Sequence, residues 1–483
     1  MTLPKIEAVS AYAPQFRITA EEFESAWGQF HAPGVEEKAV ADADEDAVTM
    51  AYEAASRALD AAGRDGDDVA FFAFASTTPP FAEEDLTARL GGMLDVRDDA
   101  TRHVFTGSTR AGTRALDAAL SAGPWEDESS GVGLVVASDC PRGEPDSAED
   151  HAAGAGAAAF VLGENDGAEI TQRAEYANEY PGTRFRQSGS EAVEGLGVTS
   201  YDRQAFTETL GNAAERIEIG DDELDAAVVQ APNGKLPYRA AGALGVSTDG
   251  IQRGVTVHEL GDTGAASVPL GLAKALARGD ERVLAVAYGS GAGADALVVE
   301  SASVEIPASL SLEGDDRINY PEYLRKRGEV TSGPPSGGGA YVSVPSWRRT
   351  LDQRHRLIAG KCPDCGALNF PPEGACNACK TLVESYDDVP LTGTGTVEAA
   401  TTISQGGAPP EFAEQQAQSG DFGVAVVALD GPDGRSVSIP AQVVGPSAES
   451  VEIGDAIETT IRRIYTQEGV TRYGFKIRPK RTQ

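Results

Sequence analysis

Hydrophobic positions along the first two thirds of the chain fall into two patterns. Continuous apolar runs recur in DDVAFFAFAST (67–77), GVGLVVASD (131–139), GAGAAAFVLGE (154–164), DELDAAVVQAPNG (222–234) and ERVLAVAYGSGAGADALVVE (281–300). Runs this short, rich in Val, Phe and Ala and closed by Gly or polar residues, predict strands buried on both faces. A helix, Glu45–Ala62, leads into the first run, and an apolar, alanine-rich helix, Ala265–Ala277, lies between the last two. Strands alternating with helices, with glycines at the strand ends, predict an α/β fold of layered sheets. The order of elements repeats on either side of residue 165, which predicts an internally duplicated domain.

The pattern changes after residue 330. TSGPPSGGGAYVSVP (331–345) has the Pro/Gly/Ser composition of a linker. A basic helix, Trp347–Leu357, is expected next. From about residue 390 the chain turns to short strands separated by turn residues: GTGTVEAATTI, FGVAVVALDG, SVSIPAQVV, DAIETTIRRIY and YGFKIRP. Five such strands predict a small β-barrel of the oligonucleotide/oligosaccharide-binding (OB) type. The expected domains are therefore 1–330, a linker at 331–345, a helix with a cysteine-bearing segment at 346–389, and the barrel at 390–483.

Four of the five cysteines fall in one short segment. Cys362 and Cys365 form one C-x2-C pair, and Cys376 and Cys379 a second. Each pair sets two thiolates on one tight turn. Folding the spacer back makes a tetrahedral S4 set suited to structural Zn²⁺. The competing reading is two disulfides or scattered thiols. Cys140 alone remains for chemistry elsewhere.

The chain has 40 basic and 75 acidic residues, a formal charge of −35, and nine lysines against 31 arginines. Acidity spread along the whole chain, with little lysine, predicts a surface adapted to molar salt, where screening relieves self-repulsion. An ordinary acidic protein is the alternative. Nucleic-acid binding is disfavoured, because no basic stripe exists to neutralise phosphates. There is no charged-then-apolar leader, and no apolar run approaches the ~18 residues of a membrane span. The expectation is a cytoplasmic protein that does not enter a membrane.

Several segments carry a resemblance to a known family. AYAPQFRITAEEFESAWG (11–28), GVEEKAVADADEDAVTMA (34–51), QAPNGKLP (230–237), GDTGAAS (261–267), YGSGAGADA (288–296) and INYPEYLRKRGEV (318–330) occur in this order. They resemble the archaeal 3-hydroxy-3-methylglutaryl-CoA synthases of the thiolase superfamily over the whole of 1–330. The resemblance implies a duplicated α/β/α/β/α domain. RHRLIAGKCPDCGALNFPPEGACNAC resembles the zinc-ribbon and OB-barrel proteins that accompany archaeal thiolases and synthases, where such a domain bridges two condensing enzymes that share coenzyme A intermediates.

By that resemblance the condensation uses a cysteine thiolate, a histidine and a glutamate. At the matching positions this chain has Thr109 in GSTRAGT, Gln230 before A-P-N-G-K, and Thr77 in ASTTPPF. Asp262 stands where the family has the asparagine of G-N-T, and a carboxylate there would repel a developing oxyanion. A one-residue slip would offer Ser108 instead of Thr109. A hydroxyl is a poor nucleophile without an adjacent base, and an amide cannot take a proton. The resemblance implies that the coenzyme A-binding parts persist: Asn233, Gly234 and Lys235 of the P-N-G-K turn, and the loop of Gly289, Ser290 and Gly291. The plainer readings are a solvated lysine and a turn required by the fold.

Other reactive residues lack such support. Cys140 does not match the nucleophile position. His103 and His258 are candidate bases, whereas His31, His151 and His355 have no motif context. Arg348, Arg349, Arg354 and His355 suit either phosphate clamping or a solvated helix face. Two function classes follow. One is a non-catalytic acyl-CoA-binding partner of a thiolase, in a homodimer or a mixed assembly. The other is an acyltransferase working with atypical residues.

Overall fold

Burial along the apolar runs explains the arrangement of the computed structural model, which describes residues 3–123, 131–218, 224–331, 342–404, 406, 408–409, 412–445 and 451–480. It packs as two units. One contains residues 1–41 and 46–320, the other 42–45 and 321–483. Of the expected linker, residues 332–341 lie outside the described residues.

Besides a small sheet of Phe16–Thr19, Glu37–Val40 and Asp316–Arg317, the first unit has two large sheets, whose strands are β1 (Lys5–Tyr12), β2 (Val69–Ala75), β3 (Thr101–Phe105), β4 (Val132–Asp139), β5 (Gly156–Gly163), β6 (Glu169–Ala177), β7 (Ala226–Val229), β8 (Arg282–Gly289), β9 (Gly293–Glu300) and β10 (Ala308–Ser311). They form a six-stranded sheet ordered β10-β1-β5-β4-β2-β3 and a four-stranded sheet ordered β6-β9-β8-β7. Residues 5–163 supply five strands of the first sheet, and residues 169–300 supply the whole second sheet. The break between them falls where the repeat in element order predicts it. Every residue of β4, β5 and β7 is buried, as expected for strands covered on both faces.

Four helices complete the layers: α1 (Ala47–Ala62), α2 (Ala111–Ala122), α3 (Thr199–Ala214) and α4 (Ser267–Ala277). α2 and α4 lie between the sheets, with Ala115, Leu116, Ala119, Val268, Leu272 and Leu276 in the shared core. α1 covers the outer face of the first sheet and α3 that of the second. The result is a five-layered α/β/α/β/α domain. α1 begins two residues later than the apolar pattern suggests, because Asp46 caps it. The Asp46 carboxylate accepts from the N–H of Val48 and Thr49, and the Thr49 hydroxyl accepts from the Asp46 N–H.

In the second unit the basic helix expected at 347–357 is two short helices, Val344–Arg349 and Leu351–Arg356, and Leu357 ends the second in a left-handed conformation at φ 56°. The strands Thr394–Ile403, Phe422–Asp430, Ser436–Gln442, Ala456–Gln467 and Val470–Pro479 form one antiparallel sheet. A parallel bridge from Val443 to Ile477 brings its two edges together as a nearly closed barrel. Burial alternates along Ser436–Gln442, so one face of the strand fills the barrel with Val437, Ile439 and Ala441.

The two central helices approach closely at Gly112. A Cβ there would lie 2.5 Å from the Ala265 carbonyl oxygen and 2.6 Å from Pro269 Cγ. Gly112→Ala is expected to destabilise the first unit by about 1–3 kcal/mol. Gly92→Ala, whose Cβ would meet nothing within 4 Å, should be neutral or stabilising by about 0.5–1 kcal/mol. Thermal melts of both variants check this.

Candidate functional site

The motif positions converge on the turn that leads into α4. Gln230 follows β7, and its Nε2 donates to the Gly264 carbonyl at 2.9 Å. Asp262 accepts from the Gly264 N–H at 3.0 Å. At the end of β4 the buried carboxylate of Asp139 accepts from the Ala265 N–H at 2.6 Å. It also accepts from Ser76 Oγ, from both N–H and Oγ1 of Thr77, and from both N–H and Oγ1 of Thr78. Gly264 sits at φ 54°, and a Cβ there would lie 2.3 Å from Asp139 Oδ2. Only glycine lets the carboxylate come so near.

A cavity of about 450 Å³ opens beside this turn. Thr109, Gln230, Asn233, Lys235 and Asp262 all line it. Thr77 is absent from its walls, and its hydroxyl is spent on Asp139 at 2.7 Å. Thr109 is buried just before α2 and donates its hydroxyl to the Tyr288 carbonyl. Neither candidate base is hydrogen-bonded to it. His103 packs with Phe71 and Phe105. His258 has Nε2 2.8 Å from the Tyr238 hydroxyl and Nδ1 against the Gly34 carbonyl.

The P-N-G-K turn is built from its own residues. Asn233 Oδ1 accepts from the N–H of Lys235 at 2.9 Å and of Leu236 at 3.1 Å, so the side chain caps the next helical turn. Gly234 lies backbone against backbone on Gly34. Lys235 is exposed at the cavity wall. The loop of Gly289, Ser290 and Gly291 follows Tyr288, which lines the cavity, but its own three residues are not part of the wall. A Cβ on Gly289 would meet Arg110 Cδ at 2.4 Å and Ser108 Oγ at 2.6 Å. Arg110 is itself tied to Asp295 and Glu175. Close approach of backbone to Arg110 thus gives Gly289 a packing role.

Cys140 lies off the cavity, with its N–H donating to Thr78 Oγ1 at 3.0 Å. Desolvation pushes its thiol up to about 11, so it is protonated at neutral pH. Burial likewise pushes the Tyr288 phenol up to about 12.

Sequence reasoning missed a hairpin over the cavity. Phe185 and Glu194 exchange backbone hydrogen bonds, and the Leu196 N–H donates to the Gly182 carbonyl. Arg184, on one arm, donates through Nη1 to Asp262. Two residues on, Arg186 donates to the Thr77 carbonyl at 2.6 Å. The only local signal was R-x-R in a loop. The negative charge that Asp262 brings is neutralised by Arg184.

Comparison with known proteins accounts for this arrangement. The chain is 32% identical to the hydroxymethylglutaryl-CoA synthase of Archaeoglobus fulgidus over 344 residues, 67% of this chain and 98% of that protein. It is 30% identical to that of Methanopyrus kandleri, over 68% of this chain and 95% of that one. The chain belongs to the hydroxymethylglutaryl-CoA synthase family. Residues 214–301 match the carboxyl-terminal model of 3-oxoacyl-[acyl-carrier-protein] synthase III. Among solved structures, an HMG-CoA synthase complexed with CoA aligns at TM-score 0.59 and 15% identity, covering 71% of this chain and 94% of that one. The synthase III of Aquifex aeolicus aligns at TM-score 0.53 and 20% identity, covering 62% and 99%. Beyond this domain, residues 349–383 match the ChsH2 rubredoxin-like zinc ribbon and 388–462 the ChsH2 carboxyl-terminal OB-fold domain.

The ribbon's four sulfurs lie within 4.8 Å of one another. Cys362 and Cys379 are 3.8 Å apart, and Cys365 and Cys376 3.6 Å. A tetrahedral zinc with Zn–S of about 2.3 Å needs about 3.8 Å between sulfurs, so the set fits the metal. The two knuckles match: Gly366 N–H donates to the Cys362 carbonyl and Lys380 N–H to that of Cys376, with φ 74° and 64°. Asn369 links them, donating to Ala367 O and Cys376 Sγ and accepting from the Asn377 N–H. Backbone N–H groups of Cys379 and Ala378 help pull the Cys376 thiol down to about 6, as a thiolate ligand requires. In the helical segment before it, Arg354 stacks on the Trp347 ring at 4.0 Å, Arg349 reaches Ser346 Oγ, Arg348 is exposed and His355 half-buried.

Cys376→Ser is expected to lower zinc content from one ion per chain and unfold the ribbon, as read by metal analysis and protease sensitivity. A second test concerns His151, a buried ring beneath the cavity residue His31. Its Nδ1 accepts the His31 N–H at 2.9 Å, and desolvation lowers its pKa to about 4. The unfolded chain therefore binds this proton first, so stability is full above the ordinary histidine value near 6.5 and falls as pH drops toward 4. His151→Gln should flatten that slope in denaturant titrations at pH 4.5 to 7.

Proposed function

We propose that this chain is an acyl-CoA-binding member of the hydroxymethylglutaryl-CoA synthase family that does not run cysteine-dependent condensation. Its role is to hold and pass on thioester intermediates as the partner of a thiolase. The observation that carries this is the state of Thr109. It occupies the position matching the family nucleophile, yet its proton goes to the Tyr288 carbonyl and no base is hydrogen-bonded to it. A hydroxyl so placed is neither ionised nor activated. Gln230, at the position of the histidine, can donate and accept hydrogen bonds but cannot carry a proton between steps.

Binding is another matter. The cavity has the volume of a small-molecule site, and Lys235 at its wall suits a coenzyme A phosphate. The zinc ribbon and OB barrel on the same chain support a bridging role, in which one chain supplies both the thioester pocket and the module that holds a partner enzyme. The acyltransferase reading draws on the same cavity. It requires Thr109 to become acylated.

Intact-mass analysis of the full chain in high salt, after incubation with acetyl-CoA, separates the two. The expected result is no mass gain, with coenzyme A binding detected by calorimetry and a thiolase co-eluting on size exclusion. A gain of one acetyl group that maps to Thr109 would overturn the proposal and establish covalent catalysis.

A further inference from the structure

We propose that the barrel carries a small-molecule site of its own, where Arg354 and Gln442 take the carboxylate of a small apolar acid. This goes beyond the thioester reading and does not depend on it.

Three observations carry it. The first is a cavity within the second unit. About 180 Å³ is bounded by Arg354 of the helix Leu351–Arg356, by Phe412, and by Gln442, Ile464, Phe475 and Lys476 of three barrel strands. At about 30 Å³ per water in the liquid, that is the volume of about six waters. It admits a small organic ion and is too small for a nucleotide.

The second is charge. The walls carry two cations and no carboxylate, in a chain with 75 acidic residues. Lys476 is buried and already engaged by Asp44 at 2.8 Å. Arg354 has no acidic partner among the described residues. Its Nε donates to the Thr350 hydroxyl at 2.9 Å, and its guanidinium lies over the Trp347 ring at 4.0 Å. Arg472, over the same ring at 5.2 Å, meets no carboxylate either. Nη1 and Nη2 of Arg354 are unpaired among the described residues, yet they are not sealed from solvent, and the same holds for the side-chain amide of Gln442. A guanidinium fork beside an amide N–H matches the two oxygens of a carboxylate.

The third is the apolar remainder of the wall. Phe412, Ile464 and Phe475 supply it. The Phe412 ring packs on Tyr465 at 6.1 Å and the Phe475 ring on Phe370 at 6.0 Å, so both rings are held by neighbours. An apolar body gains by leaving water here, whereas an inorganic anion finds partners only at the cationic end. Walls fixed before a ligand arrives spare the ordering cost that weakens flexible contacts.

The experiment is calorimetric titration of the full chain, at constant chloride, with benzoate, benzamide and inorganic phosphate. Tryptophan emission is followed alongside, because Arg354 stacks on Trp347. Benzamide keeps the ring of benzoate and lacks its charge. The expected result is benzoate binding with a change in emission, about tenfold tighter than benzamide, the scale of hydrogen bonds to a charged group, and tighter than phosphate. Arg354→Met, which keeps an unbranched stem on Trp347 and loses the fork, should remove the advantage of benzoate over benzamide. Gln442→Leu should weaken benzoate by about threefold, the scale of one hydrogen bond. Zinc retained by both variants checks that they fold. Equal binding of benzoate and benzamide, or phosphate binding as tightly as benzoate, overturns the assignment of an apolar carboxylate. Undiminished benzoate binding in both variants, or no benzoate binding by the native chain, overturns the site itself.

Discussion

The close approach of the Asp139 carboxylate to the turn Asp262–Ala265 is the constraint on which the site depends. One buried anion at the end of β4 gathers the Ser76–Thr78 segment at the end of β2 and the N–H of Ala265 ahead of α4. An unpaired carboxylate at this depth would be expensive, and six donors remove that cost. The same turn receives Gln230 from the second sheet and, through Asp262, Arg184 from the hairpin. Because Gly264 carries no side chain, the two halves of the duplicated domain meet here at hydrogen-bond distance. The cavity is the space left beside that junction.

That junction also shows how the residues at the motif positions are held. Thr77, Thr109 and Gln230 are each absorbed into local hydrogen bonding: Thr77 to Asp139, Thr109 to the Tyr288 carbonyl, Gln230 to the Gly264 carbonyl. Thr77 and Thr109 are small, neutral and satisfied, and Gln230 keeps one hydrogen bond. None needs an ionised partner. Asp262 is the exception, and a guanidinium meets it. The cavity and the hydrogen bonding at these positions are separable: a cavity relies on shape and fixed donors, whereas acyl transfer needs a proton acceptor beside a nucleophile.

The ribbon and barrel rest on different physics. The ribbon segment has few apolar residues to bury, and its four clustered cysteines fit a metal ion that would take the place of a core. The barrel fills with apolar side chains from its strands, such as Val427, Ile439 and Ile457, and brings its edges together at Val443–Ile477.

Much of this was legible in the sequence, and for identifiable reasons. Continuous apolar runs such as Val69–Ala75 must be buried on both faces, which dictates layered sheets. C-x2-C spacing is a local geometric property, so the sulfur cluster follows from the spacing alone. Motif order placed Thr109, Gln230, Asn233, Lys235 and Asp262 in one family frame, and the fold brings them to one cavity. The Gly289–Gly291 loop is harder to read, because a glycine that packs on Arg110 and one that presents its backbone to a ligand look the same in sequence. What only the tertiary structure decided are the long-range pairings. Arg184 meets Asp262 from 78 residues away, and Asp139 meets Ala265 from 126. Single charged residues carry no periodicity that announces their partners, so a pairing of this kind exists only once the layers have stacked and desolvation makes it necessary.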